Sequence, residues 1–154
     1  MNTELRLGTD EAWLIDTNIL VYAYDEADTN KHSTAIALLK AGWQGRRELF
    51  FTLQNLCEFF NIVTGKIARP LNPLMAKDVV MNLLQAASFK KLHYTENSML
   101  LAMQLTKDYK MDFWDCLIVA VMKENDVNKI YTEDAYFKKI PWLKVVNPFK
   151  TSVR

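Results

Sequence analysis

Four carboxylates stand in apolar stretches of this 154-residue sequence, far apart along the chain. Asp16 and Asp134 each follow a short apolar run, whereas Glu58 and Asp115 lie inside apolar runs that carry no lysine or arginine within a few residues. A carboxylate buried without a partner is costly, or it becomes protonated. A hard cation with oxygen ligands, Mg²⁺ or Mn²⁺, would offset the repulsion among four such groups. We call these four residues the acidic quartet and predict that they bind a divalent metal.

Each member of the quartet also has an ordinary structural interpretation. Asp16 could cap a short helix that begins near Asn18, and Asp134 could begin a turn. Asp112 and Asp115 have the i, i+3 spacing of two acids at a helix N-terminus, and we interpret Asp112 as a helix cap outside the site. For Glu58 an ordinary structural interpretation is weakest, because a cysteine and two phenylalanines flank it and a solvated helix face is rarely so apolar.

Short β-type runs alternate with longer helical patterns, which predicts a parallel sheet with helices on both faces. Ligands bind beyond the carboxyl ends of the strands in such a sheet, and the quartet is predicted at that edge. The strand order cannot be read from the sequence. The predicted strands are Ala12–Ile15, Glu48–Thr52, Phe89–His93, Lys129–Tyr131 and Lys144–Val146, and the predicted helices are His32–Trp43, Pro73–Ala87, a helix capped by Thr95 that ends near Tyr109, and one capped by Asp112 that ends at Glu124.

Composition excludes several other classes of protein. Two cysteines, Cys57 and Cys116, are too few for a disulfide framework and are interpreted as buried free thiols. The four glycines form no phosphate-binding loop. The chain has two histidines, which argues against catalysis by a serine or cysteine nucleophile with a histidine base. No segment is long enough for a membrane span and no signal-peptide core is present, so we expect a cytoplasmic protein without a membrane partner.

Net charge is +1, which does not by itself indicate a nucleic-acid binder. Basic pairs such as Arg46-Arg47 and Lys90-Lys91 are typical of solvated surface. Two aromatic residues, Trp114 and Tyr136, could stack on a base or belong to the core. The basic side chains that could grip a phosphate backbone are Lys66, Arg69, Lys138 and Lys139.

Five segments carry a specific pattern when they are taken in order: Leu14–Val21, Leu56–Phe59, Phe113–Ala120, Tyr131–Phe137 and Val146–Phe149. This series resembles the PIN-domain nucleases, especially the VapC toxins of toxin–antitoxin pairs. The Asp-Thr-Asn motif in the first segment is a loose match alone. The ordered series is specific and extends over nearly the whole chain.

The resemblance implies a three-layer α/β/α sandwich around a five-stranded parallel sheet, in a single domain over residues 1–154 with its core at about 12–149. It implies a Mg²⁺- or Mn²⁺-dependent endoribonuclease in which Asp16, Glu58, Asp115 and Asp134 match the family's acidic residues. Asn18 and Thr132 match supporting polar positions. Such proteins are commonly homodimers, and as toxins they are held inactive by a cognate antitoxin.

Two features depart from the family pattern. Cys116 stands where a small alanine is common, a difference that the packing is expected to absorb. The first strand begins about ten residues later than in minimal members, so Met1–Glu11 is either an extension or a disordered segment.

Two alternative functions compete with an endoribonuclease. One is a PIN-like module that binds RNA or protein without catalysis, against which the intact quartet argues. The other is a phosphoryl-transfer protein, such as a receiver domain or a haloacid-dehalogenase-type phosphatase. Such a protein needs a second acid close to the phospho-accepting aspartate. Here the second residue after Asp16 is Asn18, and the predicted third strand ends at His93.

Overall fold

A computed structural model describes residues 12–150 of the chain, so the prediction about Met1–Glu11 lies outside the described residues. The helices α1 to α6 and strands β1 to β5 alternate along the chain. The elements are β1 Ala12–Ile15, α1 Thr17–Tyr22, α2 Thr29–Trp43, β2 Glu48–Thr52, α3 Leu53–Gly65, α4 Pro73–Gln85, β3 Phe89–Leu92, α5 Glu96–Tyr109, α6 Phe113–Glu124, β4 Lys129–Tyr131, a 3₁₀ helix Ala135–Lys139 and β5 Lys144–Val146.

Four of the five predicted strands have the predicted bounds, and the third ends one residue early, at Leu92. The helix α2 begins three residues before the predicted start, because the Asp28 side chain accepts a hydrogen bond from the Lys31 backbone N–H and caps it. The helix α4 ends at Gln85, two residues before its predicted end. The predicted caps of α5 and α6, Thr95 and Asp112, are confirmed.

All five strands are parallel and lie in the order β3-β2-β1-β4-β5. The strand β1 is central, and the chain builds the sheet outward from it in both directions. A crevice therefore forms between β1 and β4, at the point where the order reverses. This position is where an open parallel sheet places its ligand.

The two faces of the sheet bury two separate apolar clusters, as alternation along β1 requires. Trp13 and Ile15 pack with α1 to α4, whereas Leu14 and Ala12 pack with α5 and α6. The sheet is thus covered on both faces, which confirms the three-layer α/β/α arrangement. Among the described helices, none has the length and apolarity needed to cross a bilayer.

Candidate active site

The first carboxylate lies in the crevice between β1 and β4. Asp16 follows β1 and its backbone N–H donates to the Tyr131 carbonyl of β4 at 3.0 Å. Its side chain is buried, with 7% of its surface exposed. One carboxylate oxygen accepts from the Thr17 N–H at 2.8 Å, so Asp16 also caps α1. Its structural interpretation and its membership of the quartet are therefore compatible.

The other oxygen of Asp16 meets both predicted supporting residues. The Thr132 hydroxyl donates to it at 2.7 Å, and the Asn18 amide approaches it at 3.4 Å. The Thr132 hydroxyl also accepts from the Asp134 backbone N–H at 3.0 Å. Thr132 thus connects the first carboxylate to the loop that carries the fourth, and it does so from a fully buried position.

Glu58 lies on α3 and is held by residues that sequence reasoning missed. The Thr17 hydroxyl donates to one oxygen of Glu58 at 2.8 Å and accepts from the Asn55 amide at 3.0 Å. The Gln54 amide donates to the other oxygen at 2.8 Å. Asn55 is fixed in turn by a reciprocal capping box with Thr52 at the start of α3. The spacing of Thr52 and Asn55, three residues apart at the start of a helix, is the sequence signal that indicates Asn55.

Asp115 and Asp134 come from the opposite side of the crevice. Asp115 is the third residue of α6 and is half-buried. Asp134 accepts from the Tyr136 N–H at 2.8 Å and caps the 3₁₀ helix, so its predicted turn also forms. Gln54 reaches across to the Trp114 carbonyl at 3.1 Å, which joins α3 to the start of α6. The structure brings all four carboxylates to one end of the sheet.

Burial and the neighbouring negative charges disfavour the ionised forms of Asp115 and Asp16. Burial is the largest cause that raises the pKa of Asp115, followed in order by the negative charges of Asp16, Asp134, Asp112 and Glu58, and together they bring it to about 7. Burial likewise raises the pKa of Asp16 to about 6, against the opposing hydrogen bonds from Thr132 and Thr17. The site gathers negative charge, and within the described part of the chain no basic side chain forms an ion pair with it.

The donor set fits a hard divalent cation. In residues 12–150 the one ion pair joins Lys31 to Glu133, so no lysine or arginine neutralises the quartet. In that part of the chain no three acidic, histidine or cysteine side chains approach closely enough to enclose an ion in this conformation. Carboxylate oxygens supported by hydroxyl and amide donors are nevertheless the ligands and supports that Mg²⁺ and Mn²⁺ favour.

An ion pair beside the quartet anchors the loop after β4. Lys31 of α2 pairs with Glu133, and the Tyr22 hydroxyl donates to the same carboxylate at 2.8 Å. Tyr22 in turn meets the Phe149 ring edge-on, with ring centres 5.1 Å apart. Since Glu133 stands between Thr132 and Asp134, this group fixes both neighbours.

The four basic residues proposed for the phosphate backbone are exposed but lie in different places. Lys138 and Lys139 belong to the 3₁₀ helix that Asp134 caps. Lys66 ends α3 at the end remote from the crevice, and Arg69 lines a cleft of about 350 Å³ beside α1. Lys138 and Lys139 therefore belong to an element that a quartet residue caps, whereas Lys66 and Arg69 do not.

One prediction about the cysteines is wrong. Cys116 is buried, but Cys57 is exposed. The buried residues of α3 include Leu56, Phe59 and Val63, and Cys57 falls outside that face. Trp114 and Tyr136 are also exposed, at 57% and 62%, which excludes a core role for either.

The Thr17 hydroxyl offers a first test of how the site is held. Valine keeps the shape but removes the hydrogen bond to Glu58 and leaves the buried Asn55 amide without its partner. We expect Thr17→Val to lose about 1–3 kcal/mol of unfolding free energy. We also expect it to bind Mg²⁺ more weakly, since residues that support metal ligands are worth about 10- to 100-fold in affinity. Urea unfolding and metal titrations check both effects. Thr17→Ser keeps the hydroxyl and should therefore keep both the stability and the metal response of the wild type. Equal behaviour of Thr17→Val and Thr17→Ser would refute this role of the hydroxyl.

The fold and the acidic crevice define a parallel α/β protein whose ligand site lies at a topological switch point. The chain belongs to the PIN domain family, whose model matches residues 13–143. No curated protein sequence shows a significant match.

Several solved structures share this fold. VapC20 of Mycobacterium tuberculosis, described as a sarcin-ricin loop cleaving toxin, has a TM-score of 0.64 and 15% identity over 82% of this chain and 93% of that one. FitAcB of Neisseria gonorrhoeae has a TM-score of 0.63 and 18% identity over 90% and 99% of the two chains. VapBC2 of Rickettsia felis, bound to a promoter DNA fragment, has a TM-score of 0.61 and 16% identity over 88% and 98%.

Proposed function

We propose that the protein is a divalent-metal-dependent endoribonuclease, the toxin of a toxin–antitoxin pair. The observation that carries this proposal is the meeting of four carboxylates from separate elements at the β1–β4 crevice, where Asp16 and Asp115 have raised pKa values and no basic side chain of residues 12–150 forms an ion pair with them. The similar fold of VapC20, described as a toxin that cleaves the sarcin-ricin loop, supports RNA as the substrate.

All four residues of the quartet would hold the metal, and one of them also accepts a proton. Asp16, Glu58, Asp115 and Asp134 would hold Mg²⁺ or Mn²⁺, which supplies Lewis-acid activation and neutralises charge that develops on the phosphate. Asn18, Thr132 and Thr17 orient the carboxylates. Glu58 or Asp134 accepts the proton of the attacking water.

The products identify this chemistry. Because water and not the RNA 2′-hydroxyl attacks the phosphorus, the cut leaves a 5′-phosphate and a 3′-hydroxyl. The exposed lysines of the 3₁₀ helix, Lys138 and Lys139, grip the backbone on one side, with Lys66 and Arg69 farther away. Such contacts make binding weaker as salt increases.

The proposed partners follow from the structural relatives. A toxin–antitoxin complex from Klebsiella pneumoniae shares the fold, with a TM-score of 0.58 and 19% identity over 88% of this chain and 96% of that one. We extend this association to the present chain as a cognate antitoxin. A homodimer in the cytoplasm completes the proposal, in keeping with the described surface, where large apolar side chains such as Leu74 and Met75 are exposed.

Removal of the metal is the direct test of the reaction. Purified protein is incubated with total RNA in Mg²⁺, in Mn²⁺ and in excess EDTA, and the new ends are mapped. We expect cleavage with either metal, 5′-phosphate ends, and loss of activity in EDTA that added Mg²⁺ restores. Cleavage that persists in EDTA, or ends with a cyclic phosphate, would contradict the proposal.

A non-catalytic PIN-like module is the second candidate, and the open spacing of the described carboxylates favours it. Such a module would bind RNA or a protein with its quartet intact and would cut no RNA under any metal. The same incubation separates the two functions, because it reads strand scission and not binding.

A further inference from the structure

An apolar groove of about 290 Å³ opens beside the acidic quartet. Its walls are the first turns of α3, the part of α6 from Trp114 to Val121 and the loop that follows β3. Trp114, Leu117 and Val121 contribute one face of α6, at i, i+3 and i+7. Leu53 and Cys57 form the wall opposite them, one turn apart on α3.

Two aromatic side chains stand at this groove with large exposed surfaces. Trp114 is 57% exposed and Tyr94 is 56% exposed, although exposure of such rings costs hydration free energy. Trp114 and Tyr94 both line the groove, and His93 lies next to Tyr94. Flat aromatic faces bind nucleobases by stacking, regardless of which base is present.

The groove is continuous with the quartet through one side chain. Gln54 lines the groove, and its amide donates both to the Glu58 carboxylate at 2.8 Å and to the Trp114 carbonyl at 3.1 Å. Trp114 directly precedes Asp115 on α6, and Cys57 directly precedes Glu58 on α3. We therefore expect a strand whose phosphate lies at the quartet to bring an adjacent nucleotide to the groove.

Charge and size decide which part of that nucleotide enters. The lining is almost wholly apolar, so it suits the neutral base and not the phosphate. A volume of about 290 Å³ is near the lower end of small-ligand pockets, which begin at about 300 Å³. This space suits a single base with part of its sugar, and it is short for a helix of a partner protein.

We propose that this groove, walled by Trp114, Tyr94 and Leu53, is a stacking subsite for one unpaired base of the RNA, next to the phosphate that is cut. The subsite deepens the proposed function and rests on it. Since stacking tolerates any base, the groove selects single-stranded or looped RNA over a duplex, whose bases are already stacked.

Binding of a short single-stranded RNA, measured by fluorescence anisotropy in EDTA, tests the subsite without cleavage. We expect Trp114→Ala to weaken binding by about 5- to 150-fold, the value of one stacked base. Trp114→Phe keeps a ring and should retain most of the affinity. Leu100→Ala, which removes an equally exposed apolar side chain from α5 outside the groove, is the matched control.

The exposed thiol of Cys57 gives a second measurement, because the other cysteine of the chain is buried. We expect N-ethylmaleimide to react with the protein alone, and the RNA to slow this reaction at least about tenfold. Protection that appears without RNA and grows with protein concentration would overturn the proposal in favour of a second copy at the groove.

The two proposals fail in different ways. If the wild type cuts no RNA with any metal, the proposed function is wrong whatever the groove binds. If the wild type cuts RNA, yet Trp114→Ala and Leu100→Ala bind and cut it equally well, the subsite is wrong and the nuclease stands. An equal loss of RNA affinity in Trp114→Ala and Trp114→Phe would also overturn the proposal. Phenylalanine keeps an aromatic ring, so the loss would then reflect a change in local structure and not the loss of stacking.

Discussion

Replacing Asp16 with Asn is expected to reduce metal-dependent RNA cleavage by more than about a hundredfold. Residues that only orient metal ligands are worth about 10- to 100-fold, and Asp16 lies at the centre of the hydrogen bonds that organise the site. Asparagine keeps an oxygen that accepts from the Thr17 N–H, so the cap of α1 persists. Initial rates of RNA cleavage at saturating Mg²⁺ measure the loss.

The fold should survive this replacement. Asp16 is buried and its pKa is raised to about 6, so loss of its charge removes an unfavourable burial at neutral pH. The melting temperature of the metal-free variant should equal or exceed that of the wild type. Asp28→Asn, which changes the exposed cap of α2 in the same way, is the matched control and should cut RNA normally. Full activity in Asp16→Asn would refute the proposed centre.

Asp115→Asn is expected to abolish cleavage and to stabilise the metal-free protein at the same time. The pKa of Asp115 is raised from 3.8 to about 7 by burial and by its acidic neighbours. Between these two values the folded protein holds a proton that the unfolded chain has released, so stability falls as pH rises from about 4 to 7. The neutral variant does not undergo this loss.

Unfolding in urea with EDTA, at pH 5 and at pH 8, measures the effect. Since Asp115 is only half-buried, solvent screening reduces the gain at pH 8 to the order of 1 kcal/mol, with a smaller gain at pH 5. Added Mg²⁺ should stabilise the wild type at pH 8 and leave the variant little changed. Asp78→Asn on α4, away from the crevice, should show no such pH-dependent gain. A variant that is less stable than the wild type at pH 8 would contradict the electrostatic account.

The parts of the fold that local chemistry determines could be predicted from the sequence. Strand apolarity located β1, β2, β4 and β5, and the caps Thr95 and Asp112 located the starts of α5 and α6. The quartet could be predicted because an unpaired carboxylate is costly to bury, so carboxylates inside apolar runs indicate a site. Their meeting at one end of the sheet, with Asn18 and Thr132 on Asp16, agrees with that reasoning.

The remaining features depend on contacts between distant residues. Strand order is set by pairing across the sheet, so the crevice between β1 and β4 had no local signal. The Thr17 hydroxyl donates to Glu58, which lies 41 residues later in the chain. Arg47 was predicted to be solvated with Arg46, but it donates to the Tyr131 hydroxyl, 84 residues away. Cys57 was misplaced because apolar neighbours in sequence do not determine which side of a helix faces the core.

The central position of β1 has a consequence for synthesis of the protein on the ribosome. Asp16 emerges early, but its partner Thr132 lies 116 residues later, as does the β4 strand that borders the crevice. At about 5–20 residues per second, roughly 5 to 25 seconds separate the synthesis of these two residues. During that interval Asp16 lacks the hydroxyl and the backbone carbonyl that position it. A nascent chain therefore cannot assemble the quartet with its supporting contacts until β4 and Thr132 have been synthesised, which delays the proposed activity until that point.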